Sequence, residues 1–350
     1  MKQLVIVLLM LVPCAALATA RPIPNKRAAP SLSTVRRSGE IMDRPCTAVA
    51  QGRGDSTNTA RALDTAWAEL ALLGDIMSPW QARSELARLN AAAANERFAC
   101  SSDLYAAIDS ALRIAEETSG AFDPTTGPLS RAWDVYGAGR VPAAEELAEA
   151  RVRVGWRAVA RDPANRTVRF TRPGMSLDLG GAARGYALDQ AATTLREQGI
   201  ARALIDLDGE VLAISNREPW QTTVPSPGDR QTPAFRLGLT NATLSTAAQT
   251  ERGVSVGGVR HGQIIDPATG LPVRGEASVS VVTRSATRAT ALSGALLVMG
   301  RERAAGYVAT HPGIGVLWLE PTGEGLHAWA WNLPALEAEP GLNVVWMTPR

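Results

Sequence analysis

The stretch Met175-Ser176-Leu177-Asp178-Leu179-Gly180-Gly181-Ala182-Ala183-Arg184-Gly185-Tyr186-Ala187-Leu188-Asp189 leaves the backbone few paths. Met175 to Leu179 read as an apolar strand interrupted by one acid. Leu188, Ala191, Ala192 and Leu195 then recur at the spacing of one helix face. The chain must therefore turn from strand to helix at the paired glycines. Glycine at such a junction lets backbone N–H groups approach a bound group with no Cβ in the way. The helix that follows aims its unpaired N–H groups at the same spot, which suits a phosphate or diphosphate. An ordinary tight turn would use the same residues. The stretch matches neither G-x-G-x-x-G nor the P-loop, so neither of those phosphate motifs is available.

At the N-terminus, Lys2 supplies a positive segment, Leu4 to Val12 an apolar one, and Ala18-Thr19-Ala20 a small-residue cleavage site. Residues 1–20 thus read as a secretory signal peptide, and the apolar run is too short to span a bilayer. The expectation is an exported, periplasmic protein, attached to a membrane only if lipidated at Cys14. Pro13 directly before that cysteine suits a lipoprotein box poorly. Residues 21–39 carry Arg21, Lys26, Arg27, Arg36 and Arg37 among prolines, with no acidic residue, and read as a basic linker. Residues 40–350 remain as one domain.

Cleavage would leave Cys46 and Cys100. An oxidising compartment permits a disulfide between them, but sequence does not give their separation, so the pairing stays open. A formal net charge of +2 implies no polyanion-binding field, and nucleic acid is not an expected partner. His261, His311 and His327 are far apart, and no zinc-type spacing or G-x-S-x-G motif occurs.

Periodicity predicts helices across Ser56–Ala94, with a serine cap at Ser84, and another from Ser101 that stops at Ser119-Gly120. A short acidic helix is expected over Pro142–Ala150. Strands are expected at Trp156–Ala160, Thr167–Thr171 and Ser176–Leu179. Ala203–Leu207 and Val211–Ser215 should form a hairpin across Asp208-Gly209. Residues 216–233 read as an irregular loop. Further strands are expected at Arg236–Leu239, Leu244–Thr246, Gly253–Gly257, Ser278–Thr283 and Gly315–Leu319, with helices over Thr287–Val298 and Arg301–Thr310. Helices first, then mixed strands and helices, indicate an α+β fold.

The opening stretch resembles the D-L-G-G-[IA]-A-K-G-Y-A-x-D signature of the FAD:protein FMN transferases, the flavin transferase (ApbE) family. Further blocks resemble the family in the same order. Met42 and Met77-Ser78-Pro79-Trp80 are followed by Ser84-Glu85-Leu86-Ala87-Arg88-Leu89-Asn90. Gly120-Ala121-Phe122-Asp123-Pro124-Thr125-Thr126-Gly127-Pro128-Leu129 comes next. Gln263-Ile264-Ile265-Asp266-Pro267-Ala268-Thr269-Gly270 and Ala289-Thr290-Ala291-Leu292-Ser293-Gly294-Ala295-Leu296 complete the series. The resemblance implies a T-fold-like arrangement of antiparallel sheet and helices. It also implies transfer of FMN from FAD to a Thr or Ser hydroxyl of a partner protein, with Mg²⁺ present and AMP released.

By the same resemblance Met42, Trp80, Ala121, Phe122 and Asp123 line a flavin pocket, and core packing is the alternative for Met42, Trp80 and Phe122. Asp178 hydrogen-bonds the flavin or adenosine part, Ile264 walls the adenine side, and Arg184 faces phosphate with its two-pronged fork. The Gly181 carbonyl is an expected Mg²⁺ ligand, together with the side chains at positions 290 and 294. There the family has Asp and Thr at i, i+4, on one helix face. This chain has Thr290 and Gly294 instead, while Ser245-Thr246-Ala247-Ala248-Gln249 replaces a T-S-G-D block and Gln263 a histidine. Mg²⁺ prefers at least one carboxylate among its protein ligands. The departures therefore predict weakened transferase chemistry, or, as the alternative, an inactive FAD-binding or scaffold protein of the same fold.

Overall fold

The computed structural model describes residues 32–347 apart from 54, 93, 251, 252, 257 and 258. The expected signal peptide, Cys14 and the first part of the basic linker lie outside the described residues. In chain order the elements begin with β1 (Leu32–Ile41), β2 (Arg44–Arg53), α1 (Ser56–Met77), α2 (Glu85–Ala91), β3 (Phe98–Ala99), α3 (Ser102–Glu117), α4 (Gly127–Ala132) and α5 (Ala144–Val152). A 3₁₀ turn (Trp156–Ala158) leads to β4 (Val159–Asp162), β5 (Thr167–Phe170), α6 (Ala183–Glu197), β6 (Arg202–Leu207), β7 (Glu210–Ser215), β8 (Trp220–Ser226), β9 (Asp229–Leu239) and β10 (Ala242–Ala248). The chain closes with β11 (Gly253–Val256), β12 (Val259–Gly262), β13 (Ser278–Thr283), α7 (Ala286–Met299), α8 (Arg301–Ala309), β14 (Gly315–Thr322), β15 (Gly325–Trp331), β16 (Glu337–Ala338) and β17 (Val344–Trp346).

A nine-stranded sheet of order β1-β2-β6-β7-β10-β13-β14-β15-β17 carries the molecule, antiparallel except for the β15–β17 pair. Its two faces bury different layers. On one side Ala48, Ala50, Ile205, Leu212 and Ile214 pack under helices that include α1 and α6, and Val279 and Val281 pack under α7. On the other side Val211, Ala213, Leu244, Leu317 and Leu319 meet Val224, Phe235 and Leu237 of the β8–β9 hairpin. Strand β7 is covered on both faces, so every one of its side chains is buried. Sheets packed with helices give the expected α+β architecture.

Three expectations change, and the open question of a disulfide is answered. The linker ends earlier than composition indicates, because Leu32 to Gly39 belong to β1 and pair residue by residue with β2. An edge strand needs only one backbone partner and tolerates a polar exposed face. Residues 216–233 are mostly the β8–β9 hairpin; Pro225 sits at a bulge in its register and Gly228 turns at φ +83°. Ser176–Leu179 forms no strand and joins no sheet. Cys46 and Cys100 are both free and buried, in β2 and just after β3. Burial first, then the charge of Asp206 or Glu85, pushes each thiol up to about 12.

The β1–β2 turn places Met42 at φ +54° and Asp43 at φ +56°, both in the left-handed region. Met42 is held there by packing on α1, where a Cβ on Gly74 would lie 2.8 Å from Met42 Cγ. Gly74 is the gap that admits the methionine.

Candidate functional site

The segment before α6 is fixed by a side chain instead of a sheet. Asn90, at the end of the Ser84 block, donates from Nδ2 to the Leu177 carbonyl at 2.9 Å and accepts from Leu177 N–H at 2.7 Å. Asp178 N–H donates to the Pro124 carbonyl at 2.7 Å. Two sequence blocks far apart in the chain are thereby strapped to the signature.

These straps aim the Asp178 carboxylate, which is buried. It accepts from Ser130 Oγ at 2.6 Å, from Tyr136 Oη at 2.8 and 3.0 Å, and from Gly180 N–H at 2.9 Å. Ser130 lies on α4, whose start is set by Gly127-Pro128. The Trp80 ring stands edge-on to Tyr136 with centroids 3.9 Å apart. Trp80 is 52% exposed and Tyr136 47%, so the two rings form an open aromatic rim beside a covered carboxylate. The Tyr136 hydroxyl is the enclosed part of that side chain. Its burial, then the Asp178 charge, holds the phenol well above its ordinary range.

Neither Gly180 nor Gly181 has a positive φ. They are needed for close approach: a Cβ on Gly180 would sit 2.8 Å from Tyr136 Oη, and one on Gly181 would sit 3.0 Å from Phe122 Cε2. Gly185 extends the same logic one turn on. A Cβ there would meet the Ala286 carbonyl at 2.3 Å and Thr290 Oγ1 at 2.6 Å, so this glycine lets α6 lie directly on α7. Asp189, the last residue of the signature, accepts from Ala286 N–H and Ser285 Oγ and from both the N–H and hydroxyl of Thr287. It anchors the start of α7 and so sets where Thr290 falls.

At this contact lies a second buried carboxylate. Glu210, the first residue of β7, accepts from Arg184 Nε at 2.8 Å and Nη2 at 2.5 Å, and from Thr290 Oγ1 at 3.1 Å. The Glu210 side chain is 4% exposed and that of Arg184 30%. Thr290 Oγ1 also lies 2.9 Å from the Ala286 carbonyl. Arg184, expected to face phosphate, has its fork held by Glu210.

The structure therefore gathers Trp80, Phe122, Asp178, Gly181, Arg184 and Thr290 around the first turn of α6. Phe122 and Ile264 pack against the same apolar cluster, and Ile264 is strapped by Gln249, which bonds its carbonyl at 2.7 Å and its N–H at 3.0 Å. Ala121 borders Phe122 in the turn after α3. Asp123 is directed elsewhere: it accepts from Thr125 N–H and hydroxyl and from Trp156 N–H, and desolvation still raises its carboxyl. It shapes the turn that carries Phe122. Met42 packs on α1, as described above.

Sequence reasoning missed Ser130, Tyr136, Asp189 and Glu210. Glu210 carried a readable signal, an acid heading an otherwise apolar strand, whereas Tyr136 carried none.

The expected Mg²⁺ ligands do not make a cation site. Thr290 has its hydroxyl between Glu210 and Ala286, and Gly294 has no side-chain oxygen; only the Gly181 carbonyl is retained as a matter of backbone. Among the described residues no group of three or more His, Cys, Asp or Glu gathers to hold a metal. A hard divalent ion needs several oxygen donors with charge among them, and this donor set does not supply them.

A helix N-terminus with two close-approach glycines, a covered carboxylate and an aromatic rim mark an α+β protein with features suited to a nucleotide bearing a flat ring system. A family model described as the ApbE family matches residues 42–318. The chain is similar to a FAD:protein FMN transferase of Treponema pallidum (strain Nichols), 32% identical over 257 residues, covering 68% of this chain and 71% of that protein. A FAD:protein FMN transferase of Vibrio cholerae is 31% identical over 287 residues, covering 80% of this chain and 84% of the relative. Among solved structures, the flavin transferase ApbE from Vibrio cholerae superposes with a TM-score of 0.74 at 27% identity, over 86% of this chain and 98% of the other. An apbe protein from Thermotoga maritima gives 0.75 at 29% identity, over 82% and 94%. The chain belongs to the ApbE family.

Proposed function

We propose that this chain is a FAD:protein FMN transferase that acts outside the cytoplasm, moving FMN from FAD to a Thr or Ser hydroxyl of a partner protein. In that reaction the hydroxyl oxygen bonds the phosphorus on the FMN side, and the bridging P–O bond breaks. AMP leaves with the bridging oxygen, and the hydroxyl proton ends on AMP or solvent. The observation that carries the reading is the convergence of Trp80, Phe122, Asp178 and Gly181 on the first turn of α6. The aromatic residues offer flat apolar faces to a ring system, and the start of α6 turns the positive end of the helix dipole to a diphosphate. Export rests on the Lys2 to Ala20 pattern.

No step is assigned to Mg²⁺, because the donors at positions 290 and 294 do not suit it. Their loss also favours a second reading, a family member that holds FAD without transferring FMN. Incubating the purified chain with FAD and a Thr-bearing acceptor protein separates the two. Covalent flavin on the acceptor, read by in-gel fluorescence and matched by AMP release, supports transfer. Bound FAD with no AMP supports the second reading, and no FAD binding at all overturns both.

A further inference from the structure

We propose that Arg184 takes the place of the divalent cation in this chain, so that FAD binding at the α6 corner is independent of Mg²⁺. The inference rests on the flavin reading above and concerns only how the diphosphate is held. Its first support is the loss of donors at two positions on one face of α7, where Thr290 has no charge and Gly294 no side chain. The second is what fills the corner. A permanently charged guanidinium enters from the first turn of α6, beside Gly181, and its Nε and Nη2 both bond the buried Glu210. Thr290, at the position where the family has Asp, donates to the other Glu210 oxygen.

Thr290 and Glu210 are thus positioning residues. They fix a fork whose side chain is still 30% exposed, while the carboxylate behind it is covered. A guanidinium held this way by its Nε and Nη2 turns its outer Nη1–Nη2 edge to phosphate oxygens with little orientation left to lose on binding. Glu210 offsets part of its charge, so the grip depends more on hydrogen-bond direction than on field strength. Space does not exclude a side chain at position 294. A Cβ on Gly294 would meet nothing within 4 Å. The position is open, and the corner works without filling it.

The test is FAD affinity by calorimetry or flavin fluorescence, in millimolar Mg²⁺ and in excess EDTA. Wild type should show the same Kd within about twofold in both, and no Mg²⁺ isotherm without FAD. Arg184→Ala should weaken FAD roughly tenfold or more, equally in both buffers, and Arg184→Lys, which keeps charge but loses the fork, should weaken it less. Thr290→Asp with Gly294→Thr should create an Mg²⁺ isotherm in the free protein. A circular-dichroism melt confirms that each variant is folded. The proposal is overturned if Mg²⁺ tightens FAD binding to wild type tenfold or more, or if folded Arg184→Ala and Arg184→Lys both bind FAD as wild type does. Either result leaves the flavin reading standing, whereas a wild-type chain that binds no FAD in either buffer removes that reading itself.

Discussion

Two buried carboxylates flank α6, and they are satisfied in opposite ways. Among the described residues Asp178 takes hydrogen bonds from neutral donors alone, namely Ser130, Tyr136 and a backbone N–H. Glu210 takes a guanidinium and one hydroxyl. The first arrangement holds a negative charge in place and leaves it negative; the second neutralises it. Asp178 belongs to a stretch that keeps the family pattern, whereas the Glu210 corner holds Thr290, where the chain departs from that pattern. On the proposed flavin reading, the half assigned to the ring system keeps the family pattern while the half assigned to charge departs from it.

The largest expected effect breaks the charged half. Arg184→Ala leaves Glu210 buried without its cation, and should cost on the order of 3 kcal/mol in a denaturant melt. Replacing both partners with apolar residues, Arg184→Met with Glu210→Leu, should return most of that loss, because an ion pair is often no better than packed hydrocarbon. If the double variant is as unstable as the single one, the pairing is not what holds the corner.

The next strains the neutral half. Asn90→Ala leaves Leu177 N–H and C=O without their partners, and should cost about 2–3 kcal/mol. FAD affinity should fall with it if the strap is what aims Asp178. An unchanged affinity in the folded variant would detach Asp178 from the flavin reading.

A smaller effect sharpens the comparison through pH. Tyr136→Phe should cost about 1 kcal/mol, since the ring is half exposed and only the hydroxyl bond is lost. The raised phenol pKa means the folded state favours the neutral form. That contribution is full below about pH 10, where the unfolded tyrosine begins to ionise, and is lost as pH rises further. A stability profile of Tyr136→Phe should be flatter on the alkaline side than wild type. A profile identical to wild type would mean that Tyr136 does not carry this limb. The smallest expected effect is none: the free, buried Cys46 and Cys100 should resist alkylation at neutral pH until the chain unfolds, and reductant should not move the melt.

Local patterns were legible where local physics decides. Ser84 and Ser101 cap α2 and α3 through their own hydroxyls. The hairpin at Asp208-Gly209 has both turn residues at positive φ. Misreadings arose where a distant partner overrides composition. Ser176–Leu179 has strand-like residues but spends backbone bonds on Asn90 and Pro124. The prolines around 225 and 233 suggest a loop, yet a bulge and a turn accommodate them within the β8–β9 hairpin.

The residue order by itself determined the strand-like approach to a double-glycine bend, the family, and where the chain departs from the family's pattern. It could do so because those facts are carried by neighbours in the chain. Only the tertiary structure decided that Glu210 meets Arg184 and Thr290, that Tyr136 covers Asp178, and that Asp189 seats α7. Those bonds join residues 26, 80, 42 and about 97 positions apart. No local propensity encodes such pairings; those at the α6–α7 contact depend on Gly185, which lets the two helices close on each other and brings Asp189 and Thr290 within reach of their partners.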